Sequence, residues 1–236
     1  MNQAIQLLGF ENGGWGNALW QGTLVTLEIS IGAFFVGMLL GLLTALAKLH
    51  GNPFIQSIAK GYTTVCRAVP ELLLILLFFY GGSSLINAVF DYLGYGYVEV
   101  AGLPVAIAVL GLVQGAYASE IFRGSILAVH SGQAEAGAAY GMSPRKIFFR
   151  VTLPIMAPYA LAGLSNLWVN LIKDSALISV IGTNELLYVA KQAGGSTREY
   201  LLFFVAVAVI YYLITLISSY MLRKLEIYLR RWQPPH

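Results

Sequence analysis

Five long apolar runs, with most of the lysines and arginines gathered at their ends, limit this chain to a bundle of helices crossing a membrane. A helix needs ~20 predominantly apolar residues to cross a hydrocarbon layer of ~30 Å. Residues 19–46, 61–80, 104–124, 146–172 and 200–222 supply such runs. Hydrophobic residues make up 58% of the chain and charged residues 11%, and the mean hydropathy is +0.71, values that exclude a water-soluble globular domain. The expected fold is all-α, with residues 1–236 as a single transmembrane domain of about five spans and residues 1–18 as an interfacial segment anchored by Trp15 and Trp20. The N-terminus lacks the basic region and cleavage site of a signal peptide, so the first span is expected to act as the insertion signal.

Between the third and fourth runs lies a polar, small-residue stretch, SGQAEAGAAYGMSPRKIFFRVTLPIMAP, from Ser131 to Pro158. Ser131 is placed to cap a helix start, with Glu135 in or near the first turn, where a carboxylate complements the helix dipole. Gly141 is the expected left-handed stop, and Ser143-Pro144 pairs an N-cap with a proline at the first helical position. The pattern predicts a short helix over about 133–141, a sharp turn and an immediate second helix, forming an elbow outside the membrane. An ordinary solvated loop explains the polarity but not this spacing. Elsewhere, Gly37 and Gly41 form a G-x-x-x-G step in the first span that lets a second helix approach closely. Pro154 and Pro158 are expected to kink the fourth span. Residues 83–100 are mixed in polarity, and residues 173–199 alternate too quickly to cross, which suits a re-entrant or surface segment.

The positive charges set a topology. With the elbow on the cytoplasmic side, Lys48, Lys60, Arg123, Arg145, Lys146, Arg150, Arg223, Lys224, Arg230 and Arg231 lie inside, and only Lys173, Lys191 and Arg198 lie outside. That distribution obeys the positive-inside rule, with the N-terminus outside and the C-terminus cytoplasmic. A net charge of +3 spread this way reads as topological and not as a nucleic-acid surface.

An ionisable residue inside a membrane span costs ~3 kcal/mol or more unless it has a partner, water or a purpose. Arg67 and Glu71 stand four apart in the run 61–80, which would put them on one helical face, with Glu71 near the midplane. Glu120 lies toward the inner end of the third span. An Arg67–Glu120 ion pair and a shared exposure to a solute path are both open readings. A second set comprises Gln114 and Tyr117 on the third span and Asn166, Asn170 and Lys173 on the fourth. Facing one another they would form a polar seam, whether as glue between helices or as a path replacing a solute's hydration.

The spacing Glu135-Ala136-Gly137, Gly141, then Val151-x-Leu153-Pro154 resembles the EAA-type coupling signature of ATP-binding-cassette importer permeases, with Gly137 in place of the second Ala and Val151 in place of Ile. The stretches GTLVTLEIS, GYTTVCRAVPELLLILLFFYG, QGAYASEIFRGSILAVHSGQAEAGAAYG and NLIKDSALISVIGTNEL are similar to the polar-amino-acid uptake branch of that family, the Q-type permeases of histidine, arginine and opine systems. The resemblance implies a permease subunit importing a polar, basic amino acid or an opine. Two ATPase subunits would hold ATP and Mg beneath it, a periplasmic solute-binding protein would deliver substrate, and a second permease chain, a related M-type subunit or a copy, would complete the path. Gln133, Glu135, Ala136, Gly137, Gly141, Leu153 and Pro154 would couple to the ATPase. This chain itself would bind no cofactor and sit in the bacterial inner membrane.

The competing class is an autonomous channel or ion-coupled carrier, which the intramembrane carboxylates would serve as proton relays. A membrane-embedded enzyme has little support. His50, His130 and His236 show no ligand spacing, no Gly-Lys-Ser/Thr phosphate loop occurs, and no catalytic or metal-binding residue is assigned. Cys66 lies in an apolar run and reads as a buried hydrophobe.

Overall fold

The structure is a computed structural model that describes residues 6–11, 13–97 and 102–230. In chain order it contains α1 (Gly16–His50), α2 (Pro53–Ala68), α3 (Glu71–Tyr92), α4 (Gly102–Leu127), α5 (Ser131–Ala139) and α6 (Pro144–Ile147). A π-turn (Phe148–Thr152) then leads into α7 (Leu153–Asp174), a 3-10 segment (Ser175–Ile181), α8 (Leu186–Thr197) and α9 (Tyr200–Arg230). Among the described residues, five stretches are long and apolar enough to cross a membrane: α1, α3, α4, Pro144–Ile181 and α9 as far as Leu229.

The centre of the bundle is the α1–α4 pair, the most extensive helix contact in the fold. Small residues make it possible. A Cβ on Gly32 would meet Ile107, one on Gly37 would lie 3.2 Å from Gln114 Cβ, and one on Gly41 would lie 2.5 Å from Ala118 Cβ. The contacts advance in step along both helices, so α1 and α4 run parallel, with the 37–41 glycine step at the close approach. Ile29, Ala33, Val109 and Leu110 of this pair join Ile75, Leu171 and Ile178 in one core cluster, and Phe34 meets Trp168 edge to face at 5.3 Å. A second cluster around Leu19, Leu186, Ala190, Phe203 and Val207 ties α8 and α9 to the start of α1.

The expected continuous span over 61–80 is not present. Residues 61–68 end α2, and Val69 (φ −97°, ψ 140°) and Pro70 (φ −54°, ψ 133°) are non-helical before α3 begins at Glu71. Proline disfavours the helical region at the residue before it, so the chain breaks there. Arg67 and Glu71 therefore do not share a helical face. α3 in turn runs on through the expected mixed region as far as Tyr92.

α2 has three faces. Ala59, Thr63 and Cys66 are buried, Lys60, Thr64 and Arg67 face an open cleft, and Phe54, Ile58 and Val65 are exposed. Residues 175–197 form the 3-10 segment, a left-handed turn at Gly182 (φ 84°) and the short α8, and the fourth apolar stretch runs into them as far as Ile181. Of the interfacial segment, residues 1–5 and 12 lie outside the described residues. Trp15 packs edge to face on Phe203 with ring centres 6.3 Å apart.

Candidate functional site: a coupling elbow and an intramembrane polar cleft

The elbow forms as its residues dictate. α5 ends in a Schellman turn: Gly141 has φ 73°, Met142 N donates to Gly137 O (3.1 Å), and Gly141 N donates to Ala138 O (2.9 Å). Ser143 is extended, Pro144 opens α6, and the chain turns back. Two details differ from expectation. The cap is His130, whose Nδ1 accepts from Gly132 N at 3.1 Å, so Ser131 is the first helical residue and Glu135 falls in the second turn. Gly137 is the one buried residue of α5; a Cβ there would lie 3.2 Å from Ile147 Cγ1. Gln133, Glu135 and Ala136 are exposed.

Between α6 and α7 the helix widens. Leu153 N donates to Phe148 O, five residues back, because Pro154 has no N–H to give the Arg150 carbonyl and its ring crowds that carbonyl. Leu153 and Pro154 thus stand where the elbow joins the span, and Pro158 lies inside α7.

Within the membrane region, Arg67, Tyr117, Glu120, Asn166, Leu167 and Asn170 line an open cleft of about 330 Å³ between α2, α4 and α7. A contiguous cleft of about 460 Å³ adds Lys48, Lys60, Thr63 and Thr64. Five of the eight sequence-derived path residues thus reach or border one another here. Of the two open readings for Arg67 and Glu120, the ion pair does not form, and both residues line the cleft. Glu120 Oε1 is 2.6 Å from Lys48 Nζ and its Oε2 is 2.9 Å from Arg123 Nη2, while Lys48 Nζ also donates to Thr63 Oγ1 at 2.5 Å. Arg67 remains in the cleft without an ion pair among the described residues.

Gln114 faces inward and is 1% exposed, so it stands apart from the Asn166–Asn170 wall of the cleft, and Lys173 is exposed beside it. Gln114 Nε2 donates to Asp174 Oδ2 at 2.9 Å. The Glu71 carboxyl faces both Tyr117 and Asp174. Asp174 was missed at the level of sequence, although Asn166, Asn170 and Asp174 continue one face at steps of four.

Glu185 was missed too. It is fully buried and caps α8, accepting from Tyr188 N (2.7 Å), Leu187 N (2.9 Å) and Tyr211 Oη (2.9 Å). Burial pushes its carboxyl above the ordinary range, against the pull of these donors. The signal was an acid directly before an apolar helix start.

Residues 37–231 match the family described as binding-protein-dependent transport system inner membrane component. The chain belongs to that family. As a member of it, the chain is a multi-pass inner-membrane component of a transport system, and its relatives are named for amino-acid and opine transport. It is 40% identical over 222 residues to the octopine transport system permease protein OccQ of Rhizobium radiobacter, covering 94% of each chain. It is 38% identical over 213 residues to the histidine/lysine/arginine/ornithine transport system permease protein HisQ of Escherichia coli (strain K12), covering 90% of this chain and 93% of that one. Among solved structures, an amino acid ABC transporter crystallised with histidines superposes with a TM-score of 0.74 at 29% identity, over 90% of this chain and 94% of that one. The inward-facing MetNI methionine ABC transporter shares the fold, with a TM-score of 0.62 at 19% identity over 88% and 94% of the two chains.

Proposed function

We propose that this chain is the transmembrane permease subunit of an ATP-binding-cassette importer for polar, cationic amino acids or an opine. The observation that carries the coupling is the elbow, a short helix closed by a left-handed glycine and packed through Gly137 against Ile147 of α6, which leads into α7. Two partner ATPase subunits, holding ATP and Mg, would grip its exposed Gln133, Glu135 and Ala136. Closure of the ATPases would then push the Leu153–Pro154 junction and tilt α7, opening the path toward the other side of the membrane. The basic residues at the elbow end support a cytoplasmic elbow, an external N-terminus and a cytoplasmic C-terminus.

Asn166 and Asn170 are exposed on a candidate membrane span, where lipid cannot solvate them, and the exposed Arg67 lines the same cleft. That exposure supports a second permease chain, a related M-type subunit, facing this cleft across the path. Glu71, Gln114, Tyr117, Glu120 and Lys173 complete the proposed route, with substrate handed over by a periplasmic binding protein.

The test is mild-detergent extraction of the tagged chain, mass spectrometry of what accompanies it, and ATP-driven uptake by the reconstituted assembly. An ATPase and a second permease-like chain are expected. A chain that extracts alone, while a control importer stays intact, and that moves solute without ATP would instead support an autonomous carrier.

A further inference from the structure

α2 carries two unlike stripes side by side on its outer surface. Lys60, Thr64 and Arg67 repeat at steps of four and three and face the open cleft of about 460 Å³. Phe54, Ile58, Gly61 and Val65 repeat at steps of four, three and four, and their apolar side chains are all exposed. The second stripe follows the first by one residue, about 100° round the helix. Gly61 leaves a notch between Ile58 and Val65, since a Cβ there would meet nothing within 4 Å.

The buried face of α2 holds this orientation. Thr63 accepts from Lys48 of α1, and Cys66 packs with Val113 and Ala116 of α4, so neither stripe can turn inward. Lys48 lies in the last turn of α1. Thr63 and, about one turn before it, Lys60 therefore stand at the end of that span, at the level where lipid headgroups begin. Arg67 lies seven residues further along α2, about 10 Å at 1.5 Å per residue, and its long side chain can reach back toward that level.

The cleft sets three cations, Lys48, Lys60 and Arg67, against one carboxylate, Glu120. Lys48 and Arg123 already bind that carboxylate. Lys60 and Arg67 make no ion pair among the described residues, so they attract an anion. A free anion would fill the cleft and leave the apolar stripe bare. A phosphate that carries acyl chains covers both stripes at once, and phosphates lie at this level throughout a membrane.

We propose that α2 forms a binding site for an anionic glycerophospholipid, its phosphate held by Lys60 and Arg67 beside Thr64 and an acyl chain seated along Ile58, Gly61 and Val65. The site belongs to the leaflet at the elbow end of the bundle. It goes beyond the importer reading and needs only that the chain spans a membrane.

The chain in its native complex is placed in nanodiscs of mixed phosphatidylcholine and phosphatidylglycerol and released into detergent, and the lipids it retains are counted by native mass spectrometry. Phosphatidylglycerol is expected to be retained about fivefold or more over phosphatidylcholine, the factor that one basic side chain supplies at a membrane surface. Lys60→Gln lowers that preference about fivefold, Lys60→Arg keeps it, and Ile58→Asn reduces the phosphatidylglycerol retained. Arg223→Gln, at an exposed basic position near the end of α9, leaves it unchanged. Equal retention of the two lipids by the unaltered complex, a comparison that needs no variant, overturns the proposal. So does a preference that survives Lys60→Gln, or one that falls as far in Arg223→Gln, which would make it a property of the basic surface at large. Stabilisation against heat by sodium phosphate equal to that by phosphatidylglycerol, and lost in Lys60→Gln, gives the cleft to a free anion and also overturns it. Cross-linking of Ile58→Cys to a second protein chain, with no lipid retained, overturns it in favour of a protein partner on this face.

Discussion

Lys48 Nζ lies 2.6 Å from Glu120 Oε1 and ties the end of α1 to α4, with the lysine side chain 6% exposed and the glutamate 27%. A lysine so buried needs its counter-ion. Glu120→Gln is expected to lower stability by about 1–3 kcal/mol, less than a fully buried pair because water reaches Glu120. Adding Lys48→Met to Glu120→Gln should restore most of the loss, since the uncompensated charge is then gone. Thermal unfolding of the purified complex measures both; equal instability of the single and double variants would contradict this account.

Gly141 holds φ 73°, where a β-branched residue is strained by about 1–2 kcal/mol. Gly141→Val is expected to insert into the membrane normally yet to lose ATP-coupled uptake, because the Schellman turn that orients α5 no longer closes. Expression level and reconstituted ATPase activity report the two halves of the prediction. Normal substrate-stimulated hydrolysis in the variant would refute it.

The α1–α4 contact predicts a contrast between two glycines. A Cβ on Gly41 would stand 2.5 Å from Ala118 Cβ and 3.0 Å from the backbone, whereas one on Gly81 would meet nothing within 4 Å. Gly41→Ala should therefore destabilise by about 1–3 kcal/mol, and Gly81→Ala should be neutral or mildly stabilising through helix propensity. Paired melting curves decide it.

Glu185 satisfies two backbone N–H groups and the Tyr211 hydroxyl in a fully buried position. Glu185→Ala strands all three donors and should cost about 2–4 kcal/mol, with Glu185→Gln intermediate because its amide oxygen can still accept. Hydrogen exchange at the start of α8 is the direct measure, with the greatest loss of protection expected at Leu187 and Tyr188.

Much of this protein is legible in its sequence. The apolar runs required a helical bundle because an unpaired backbone group in lipid is too costly for irregular structure. The Gly141 and Ser143-Pro144 punctuation specified the elbow, since left-handed and proline-fixed dihedrals are local properties of those residues. The Gly37–Gly41 step announced a close helix contact, though not that α4 would make it. Val69-Pro70 carried the break between α2 and α3, but the apolar run across it concealed the signal.

Which charges meet across helices was decided by the tertiary structure. Arg123, three residues on, reaches Glu120 within α4, but only the parallel packing of α1 on α4 brings Lys48 to it in place of Arg67. Glu71 and Asp174 lie over a hundred positions apart, and no local pattern predicts that one helix start and another helix end converge. Local backbone chemistry acts over a few residues and so can be read along the chain. Charge pairing depends on distances of a few ångströms between helices, and those exist only once the bundle has packed.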